Sequence, residues 1–246
     1  MKLSEQEKAA RRAAFRNMSR KKKLEHVSAY YKWPILLGLI ALFLLGSLVQ
    51  KQLTKKTPML YLAFANVAAG EELKEALTTR FLNYIGADNK KQEVYLYPDL
   101  YLSDDATVEN HEYAYASRIK LMGAISAGKI DLLLMNREAY DLLSRKGYLM
   151  ELSSSCFADE SSLRDKLRTY LSVNEVVLSD NVLAYQLGEV DTHEMETVAA
   201  ENAIEVSDLP LFSRAGFSDS VYLGIIANSQ RLATCIQYME YLLLGT

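Results

Sequence analysis

Cysteine, histidine and tryptophan are scarce in this chain of 246 residues. Two cysteines are too few for a disulfide-built scaffold. After residue 50 only His111 and His193 could act as a histidine base, and no Gly-x-Ser-x-Gly elbow accompanies them. The single tryptophan, Trp33, precedes that region, which therefore has no indole ring for stacking against a sugar. These shortages argue against histidine-activated nucleophilic catalysis and disfavour carbohydrate as a ligand.

Charged residues are absent from the segment 33–50, whose eighteen residues are mostly apolar. At about 1.5 Å rise per residue, a helix of this length spans roughly 27 Å, close to the ~30 Å hydrocarbon core of a bilayer. Tyr30, Tyr31 and Trp33 precede it as an aromatic belt. The charged leader is longer than that of a cleaved signal peptide, and no small-x-small cleavage site follows. The sequence therefore predicts an uncleaved transmembrane signal-anchor at residues 30–50.

Positive charge is concentrated before this segment. Residues 1–32 contain ten Lys or Arg and three Glu, a net charge of +7, whereas residues 57–246 contain fifteen Lys or Arg and twenty-eight Asp or Glu, a net charge of −13. The positive-inside rule then predicts a cell-membrane protein with a cytoplasmic tail at 1–29, a stalk at 51–57 and an extracytoplasmic domain at 58–246. The expected partners are the lipid bilayer and anionic lipid at the basic tail. Nucleic acid is not expected, because the basic tail is tethered to a membrane.

Short apolar stretches alternate with amphipathic ones after residue 57, which is typical of an α/β fold. Strands are predicted at 59–67, 93–97, 130–135 and 221–228, and helices at 71–85, 111–127, 137–145 and 229–244. This order predicts a mostly parallel sheet with flanking helices. In the helix at 111–127 the residues expected to point inward are Tyr115, Ile119, Met122 and Ile125.

The segment 153–215 is less regular than the rest of the domain. A short helix is predicted at 161–170, and strands at 176–178 and 182–186. The segment is interpreted as a small second subdomain or as an addition to the same sheet.

Two segments carry a resemblance to a known family. The segment 129–152, KIDLLLMNREAYDLLSRKGYLMEL, has an apolar strand opened by Asp131 and a helix that ends at Gly147. The segment 221–244, VYLGIIANSQRLATCIQYMEYLLL, has a strand, an Asn-Ser cap and a helix. Both resemble extracellular solute-binding proteins of the type-two periplasmic fold, which implies a solute-binding-protein-like domain. The whole arrangement resembles small membrane-anchored proteins of Gram-positive bacteria.

The chain departs from that family in two respects. Family members carry two full lobes with the ligand between them, whereas the 68 residues 153–220 are too few for an equal second lobe. In addition, no lipid-attachment cysteine follows the apolar segment. These departures predict that the fold is retained while transport is lost.

A ligand of an open parallel sheet binds beyond the carboxyl ends of the strands. Asn66, Asp99, Tyr101 and Asn136 lie at such ends and are the predicted ligand-binding residues. Asn136 also suits the cap position of the following helix. Two glutamates at 71–72 open the helix after Asn66 and would repel an anion, so a neutral or cationic ligand is expected.

Other functional patterns in the sequence are incomplete. Residues 123–129, GAISAGK, have the spacing of a phosphate-binding loop but follow a helix and lack the final Ser or Thr, so Gly128 is interpreted as a helix stop. A polar set without known metal-ligand spacing comprises Asp191, His193, Glu194 and Glu196. An acidic set without calcium-loop spacing comprises Asp99, Asp104, Asp105 and Glu109.

No catalytic residue, metal or cofactor is predicted from these patterns. Cys156 and Cys235 suit either a disulfide or two buried thiols. The leading hypothesis is a membrane-anchored extracytoplasmic module, not an enzyme, that binds a protein or a small molecule. One alternative is a genuine solute receptor of a transporter, which requires a cleft between two comparable lobes. The other is an extracellular hydrolase, which requires a histidine or a carboxylate pair inside a pocket.

Overall fold

The computed structural model describes residues 55–105, 110–152 and 161–244, together with 33–34, 36–47 and a few isolated positions before residue 20. The chain divides into two compact units, Met1–Lys55 and Lys56–Thr246. In the first unit, residues 36–47 are helical and almost entirely exposed. Several residues of the predicted anchor at 30–50 lie outside the described part of the chain. Within that part, no helix combines the length and the hydropathy that a bilayer crossing needs.

The second unit is a mixed α/β fold built on one six-stranded sheet. Its strands are β1 (Thr57–Ala65), β2 (Gln92–Leu100), β3 (Leu132–Met135), β4 (Leu171–Asp180), β5 (Met195–Glu205) and β6 (Tyr222–Ile225). Its helices are α1 (Glu71–Glu75), α2 (Phe81–Tyr84), α3 (His111–Ser126), α4 (Arg137–Arg145), α5 (Ser161–Leu167), α6 (Val182–Gln186), α7 (Pro210–Ser213) and α8 (Leu232–Leu244). A π-helical turn, Ala76–Arg80, joins α1 to α2.

The strand order is β2-β1-β3-β6-β5-β4, and the sheet is mixed. Strand β1 runs parallel to β2 and β3, whereas the pairs β3–β6, β6–β5 and β5–β4 are antiparallel. The prediction of a mostly parallel sheet is therefore right for the first three strands and wrong for the last three. Helical crossovers connect β1, β2 and β3, as parallel neighbours require, while β4 and β5 pair antiparallel and are joined by the short helix α6.

Apolar side chains cover both faces of the sheet. Alternate residues of β1 point to opposite faces, so that Leu60, Leu62 and Phe64 belong to one buried cluster and Ala63 and Ala65 to another. The first cluster packs against α1, α2, α5 and α8, and the second against α3 and α4. The result is a three-layer domain whose strand ends are free to form a site.

The π-helical turn is stabilised by two buried tyrosines of α8. A π turn interrupts the regular i to i−4 ladder, so nearby carbonyl groups need other donors. The Tyr238 hydroxyl donates to the Leu77 carbonyl at 2.9 Å, and the Tyr241 hydroxyl donates to the Ala76 carbonyl at 2.7 Å. Burial raises the pKa of Tyr238, so its hydroxyl keeps the proton that it donates.

Helix α3 presents a different face to the core from the predicted one. Tyr115, Ile119 and Met122 are exposed, and of the four residues expected inward only Ile125 is buried. The buried residues of the helix are Ala114, Ser117, Leu121 and Ile125. The prediction was wrong because α3 is apolar on two sides, and the smaller side chains on the other side allow a close approach to the sheet.

Strands β4 and β5 form a long two-stranded ribbon, here called the arm (residues 171–205). They pair along their whole length, but only Ile204 and Glu205 of β5 pair with β6. The prediction of a strand at 182–186 is wrong, since these residues form α6 at the turn of the arm. The Asp180 carboxylate accepts a hydrogen bond from the Val182 backbone N–H at 2.8 Å and so favours a helical turn over an extended continuation.

Candidate functional site

Asn66 lies directly after β1 and has a left-handed backbone, with φ of 56°. Asparagine tolerates this conformation better than most residues. Its side-chain Oδ1 accepts from the Leu102 N–H, and its Nδ2 donates to the Leu102 carbonyl, both at 2.7 Å. Asn66 thus uses its amide to hold the chain after β2 beside the end of β1.

Asn136 follows β3 and caps α4. Its Oδ1 accepts a hydrogen bond from the Ala139 N–H at 3.0 Å, which confirms the cap predicted from the sequence. Because Ala65 pairs with Met135 across the parallel strands, Asn66 and Asn136 are adjacent at the carboxyl edge of the sheet. Among the described residues, none accepts a hydrogen bond from the Asn136 amide nitrogen, which remains available to a ligand.

Both asparagines line a cleft of about 300 Å³. The opposite wall is the loop 215–221, in which Ser218, Asp219 and Ser220 are the polar residues. The Ser218 hydroxyl lies 3.2 Å from an Asp219 carboxylate oxygen. The cleft therefore offers amide, hydroxyl and one carboxylate group, a set that suits a neutral or cationic ligand.

Asp99 and Tyr101 lie elsewhere. Asp99 has φ of 59° and lines a separate depression of about 330 Å³ with Tyr113 and Lys120. The Tyr113 hydroxyl donates to the Asp99 carbonyl. The Tyr101 and Tyr113 rings are stacked, with centroids 6.4 Å apart. Asp99 and Tyr101 are thus held beside α3 by their contacts with Tyr113. The four predicted ligand-binding residues are thus divided between two places.

Arg137, next to Asn136, is held away from the cleft. Its Nε lies 2.9 Å from an Asp141 carboxylate oxygen, and its guanidinium lies 5.6 and 5.8 Å from the ring centres of Tyr140 and Tyr222. Hydrogen bonds with Tyr222 and Asp141 raise the pKa of Arg137. The Arg137 guanidinium is therefore engaged by side chains of α4 and β6 and is not directed at the cleft.

A second groove, of about 250 Å³, lies between the helical segment 71–80 and α7. Leu73, Ala76 and Leu211 form its apolar part, and Arg80 and Arg214 line it together with Glu72. The other glutamate of the first turn, Glu71, forms an ion pair with Lys74 at 2.9 Å. The acidic character expected from the glutamates at 71–72 is therefore offset locally by basic side chains.

The loop 215–221, Arg80 and Arg214 were not among the predicted site residues. The segment RAGFSDS at 214–220 has the glycine and serine content of an exposed loop, which was a signal in the sequence. No comparable signal marks the two arginines, because α1 and α7 approach each other only in the folded chain.

The candidate catalytic and metal-binding groups are separated from one another. His193 contacts Asp180 at 2.9 Å in the arm, whereas His111 begins α3. Burial raises the pKa of the Cys235 thiol to about 12, so this group stays protonated at neutral pH and is a poor nucleophile. Cys156, its possible disulfide partner, lies outside the described residues.

Among the described residues, neither the polar set at 191–196 nor the acidic set at 99–109 gathers around a common point. No group of three or more His, Cys, Asp or Glu side chains there could hold a metal ion. Asp104 forms an ion pair with Arg118, and Glu109 lies outside the described part of the chain. Gly128, with φ of 63°, ends α3 as predicted for a helix stop.

The comparisons with known proteins identify no family. No family model matches the chain, and no curated protein matches it. Among solved structures, the chain is similar to the Corynebacterium glutamicum OxyR C206 mutant, with 12% sequence identity and a TM-score of 0.29 over 90% of this chain and 73% of that one. A TM-score this low supports no conclusion about fold or function.

Proposed function

We propose that the chain is a membrane-anchored extracytoplasmic interaction module, and that it is neither a solute receptor nor an enzyme. The observation that carries this proposal is the course of the chain after β3. Strands β4 and β5 extend the same sheet, and β6 joins them to β3. A receptor that closes on its ligand needs a second lobe with its own core. The two buried clusters of the described residues both flank the one sheet.

The hydrogen bonds already formed by polar groups of the cleft give further support. The Asn66 amide is used in hydrogen bonds to Leu102, and the Asn136 oxygen is used to cap α4. Few polar groups are left to fix the orientation of a small molecule, and a shallow site buries little of its surface. A protein partner, which binds through an exposed surface and not through an enclosed site, suits this geometry better.

Anchoring in the cell membrane is part of the proposal. It rests on the uncharged segment 33–50, on the net charge of +7 before it and on the net charge of −13 after residue 56. The basic tail would contact anionic lipid on the cytoplasmic face, where each basic residue contributes about 1 kcal/mol to binding. The interaction domain would then face the exterior.

Calorimetry tests the choice between interaction module and receptor. The unit 56–246, titrated with amino acids, short peptides and oligosaccharides, is expected to show no dissociation constant near or below about 1 μM. If weaker binding is seen, Asp219→Asn in the cleft should change it, whereas Asp208→Asn, at an exposed position outside the cleft, should not. A dissociation constant at or below about 1 μM that depends on Asp219 would favour the receptor instead.

Protease treatment of intact cells tests the topology. A protease added outside is expected to digest residues after Lys56 and to leave the tail before Tyr30 intact, because the bilayer protects the cytoplasmic side. Antibodies against the two ends of the chain distinguish the products, and permeabilised cells serve as the control in which both ends are digested. Loss of the tail in sealed cells would show that the orientation is wrong.

A further inference from the structure

The outer half of the arm, residues 177–200, is the least buried part of the described domain. All of its residues are described, and every one is exposed or half-buried. Eight large apolar side chains there are exposed by 37 to 67%: Leu178, Val182, Leu183, Tyr185, Leu187, Val190, Met195 and Val198. Exposed apolar side chains concentrated in one segment in this way indicate an interaction site.

The inner half of the arm is firmly attached to α4. The Tyr140 hydroxyl lies 2.8 Å from Asn202 Oδ1 and 3.0 Å from the Ser172 carbonyl oxygen. Asn202 donates to the Ser144 hydroxyl at 2.7 Å, and that hydroxyl donates to the Glu175 carbonyl at 2.9 Å. Tyr140, Ser144 and Asn202 are all fully buried. The arm therefore projects from a fixed base.

The tip of the arm has its own hydrogen bonds. The Asn181 side chain accepts from the Glu194 N–H at 2.7 Å and donates to the Thr192 carbonyl at 3.1 Å. Asp180 contacts His193 and the Val182 N–H, and both contacts lower the pKa of its carboxyl group. These bonds shape the tip without covering Leu183 or Leu187. A two-stranded ribbon alone is marginally stable. Burial of its exposed apolar side chains against a partner would therefore stabilise it.

The negative charge of the arm favours a basic partner over an acidic one. Residues 171–205 contain eight Asp or Glu and neither Lys nor Arg. Five of these carboxylates lie in the same outer half of the arm as the exposed apolar residues: Asp180, Glu189, Asp191, Glu194 and Glu196. A second copy of the arm, an anionic lipid surface and a nucleic acid would all be repelled by this charge, whereas basic groups would be attracted.

We infer that the outer arm is the docking surface for a protein partner that presents an amphipathic helix, with apolar side chains on one face and Lys or Arg beside them. The inference rests on the proposed interaction function and names its partner class. Leu183 and Leu187 would pack against the apolar face of that helix, and the carboxylates of the arm would pair with its basic side chains. Apolar burial would supply most of the affinity, and the charges would speed association and exclude acidic partners.

The test uses the full chain in a non-ionic detergent and a synthetic amphipathic helical peptide of leucine and lysine. The wild-type chain is expected to bind the peptide, and the double variant Leu183→Ser, Leu187→Ser to bind it at least about tenfold more weakly. The variant Glu189→Lys, Glu194→Lys should weaken binding to a similar degree, and binding should fall as salt is raised. Ile119→Ser on α3 is the matched control, because Ile119 is 54% exposed against 67% for Leu183 and 65% for Leu187.

Several results would overturn the inference. They are failure of the wild-type chain to bind the peptide, equal binding of the peptide by the arm variants, or equally strong binding of a glutamate-for-lysine peptide that the leucine variant also weakens. Arm-dependent binding to phosphatidylcholine vesicles would assign the surface to a membrane, and a dimer lost in the leucine variant would assign it to a second copy. Tight small-molecule binding in calorimetry would contradict the proposed function alone, so the two failures are distinguishable.

Discussion

Replacing Asp131 by alanine is expected to lower the free energy of unfolding by about 3–5 kcal/mol, the usual cost of removing one partner from a buried ion pair. The Asp131 side chain is fully buried. It accepts hydrogen bonds from the Tyr61 N–H at 2.9 Å and the Ser229 hydroxyl at 2.7 Å, and its nearer oxygen lies 3.4 Å from Arg231 Nη1. The substitution leaves these donors without their acceptor. Urea unfolding of the unit 56–246 measures the loss.

Asp104→Ala is the matched control for this substitution. Asp104 also pairs with an arginine, Arg118, but its side chain is 63% exposed and water can replace the lost partner. The expected loss is below about 1 kcal/mol. Asp131→Asn, which keeps one acceptor oxygen, should lie between the two variants and covers the case in which Asp131→Ala does not fold. Equal losses for Asp104→Ala and Asp131→Asn would contradict the role given to the buried carboxylate.

Replacing Phe81 by alanine is expected to cost about 3–5 kcal/mol of unfolding free energy, because a fully buried ring is removed and the cavity is only partly refilled. The Phe81 ring lies edge-on to Tyr238 with centroids 4.6 Å apart and 5.6 Å from the centroid of Tyr241. These tyrosines donate to the carbonyl groups of the π-helical turn. The substitution should therefore also loosen the turn, which hydrogen exchange of the amides at 76–84 would detect.

Tyr84→Ala, one turn along the same helix, is the control for Phe81. The Tyr84 ring also contacts Tyr241, with centroids 5.4 Å apart, but this residue is 40% exposed. Its removal opens no closed cavity, so the loss should be clearly smaller than that for Phe81→Ala. A comparable loss in the two variants would mean that the aromatic cluster is not organised around the buried ring.

Local patterns in the sequence predicted several elements correctly. The helix α4 and its cap Asn136 lie where they were predicted, and β1 lies two residues before its predicted bounds of 59–67. The glycine stop at Gly128 is also confirmed. Each of these signals is complete within a few residues of chain, because caps and periodicities depend on neighbouring side chains and backbone groups.

The errors occur where distant contacts decide between two local solutions. Residues 182–186, VLAYQ, have a composition that suits a strand, yet they form a helix because the arm turns back at this point. Helix α3 has two apolar sides, and only its packing against the sheet determines which one is buried. Asp99 and Tyr101 follow a predicted strand end, but their contacts with Tyr113 of α3 hold them away from the cleft.

The sequence by itself determined that strands and helices alternate, that asparagines follow β1 and β3, and that only the 68 residues 153–220 remain for a second lobe. These properties follow from composition, spacing and length, which are read along the chain. Only the tertiary structure decided that β4 to β6 pair antiparallel and leave an arm exposed, and that Asn66 and Asn136 share a cleft without Asp99 and Tyr101. The physical reason is that strand pairing and the choice of buried face depend on the free energy of contacts between residues far apart in the chain, which no local pattern records.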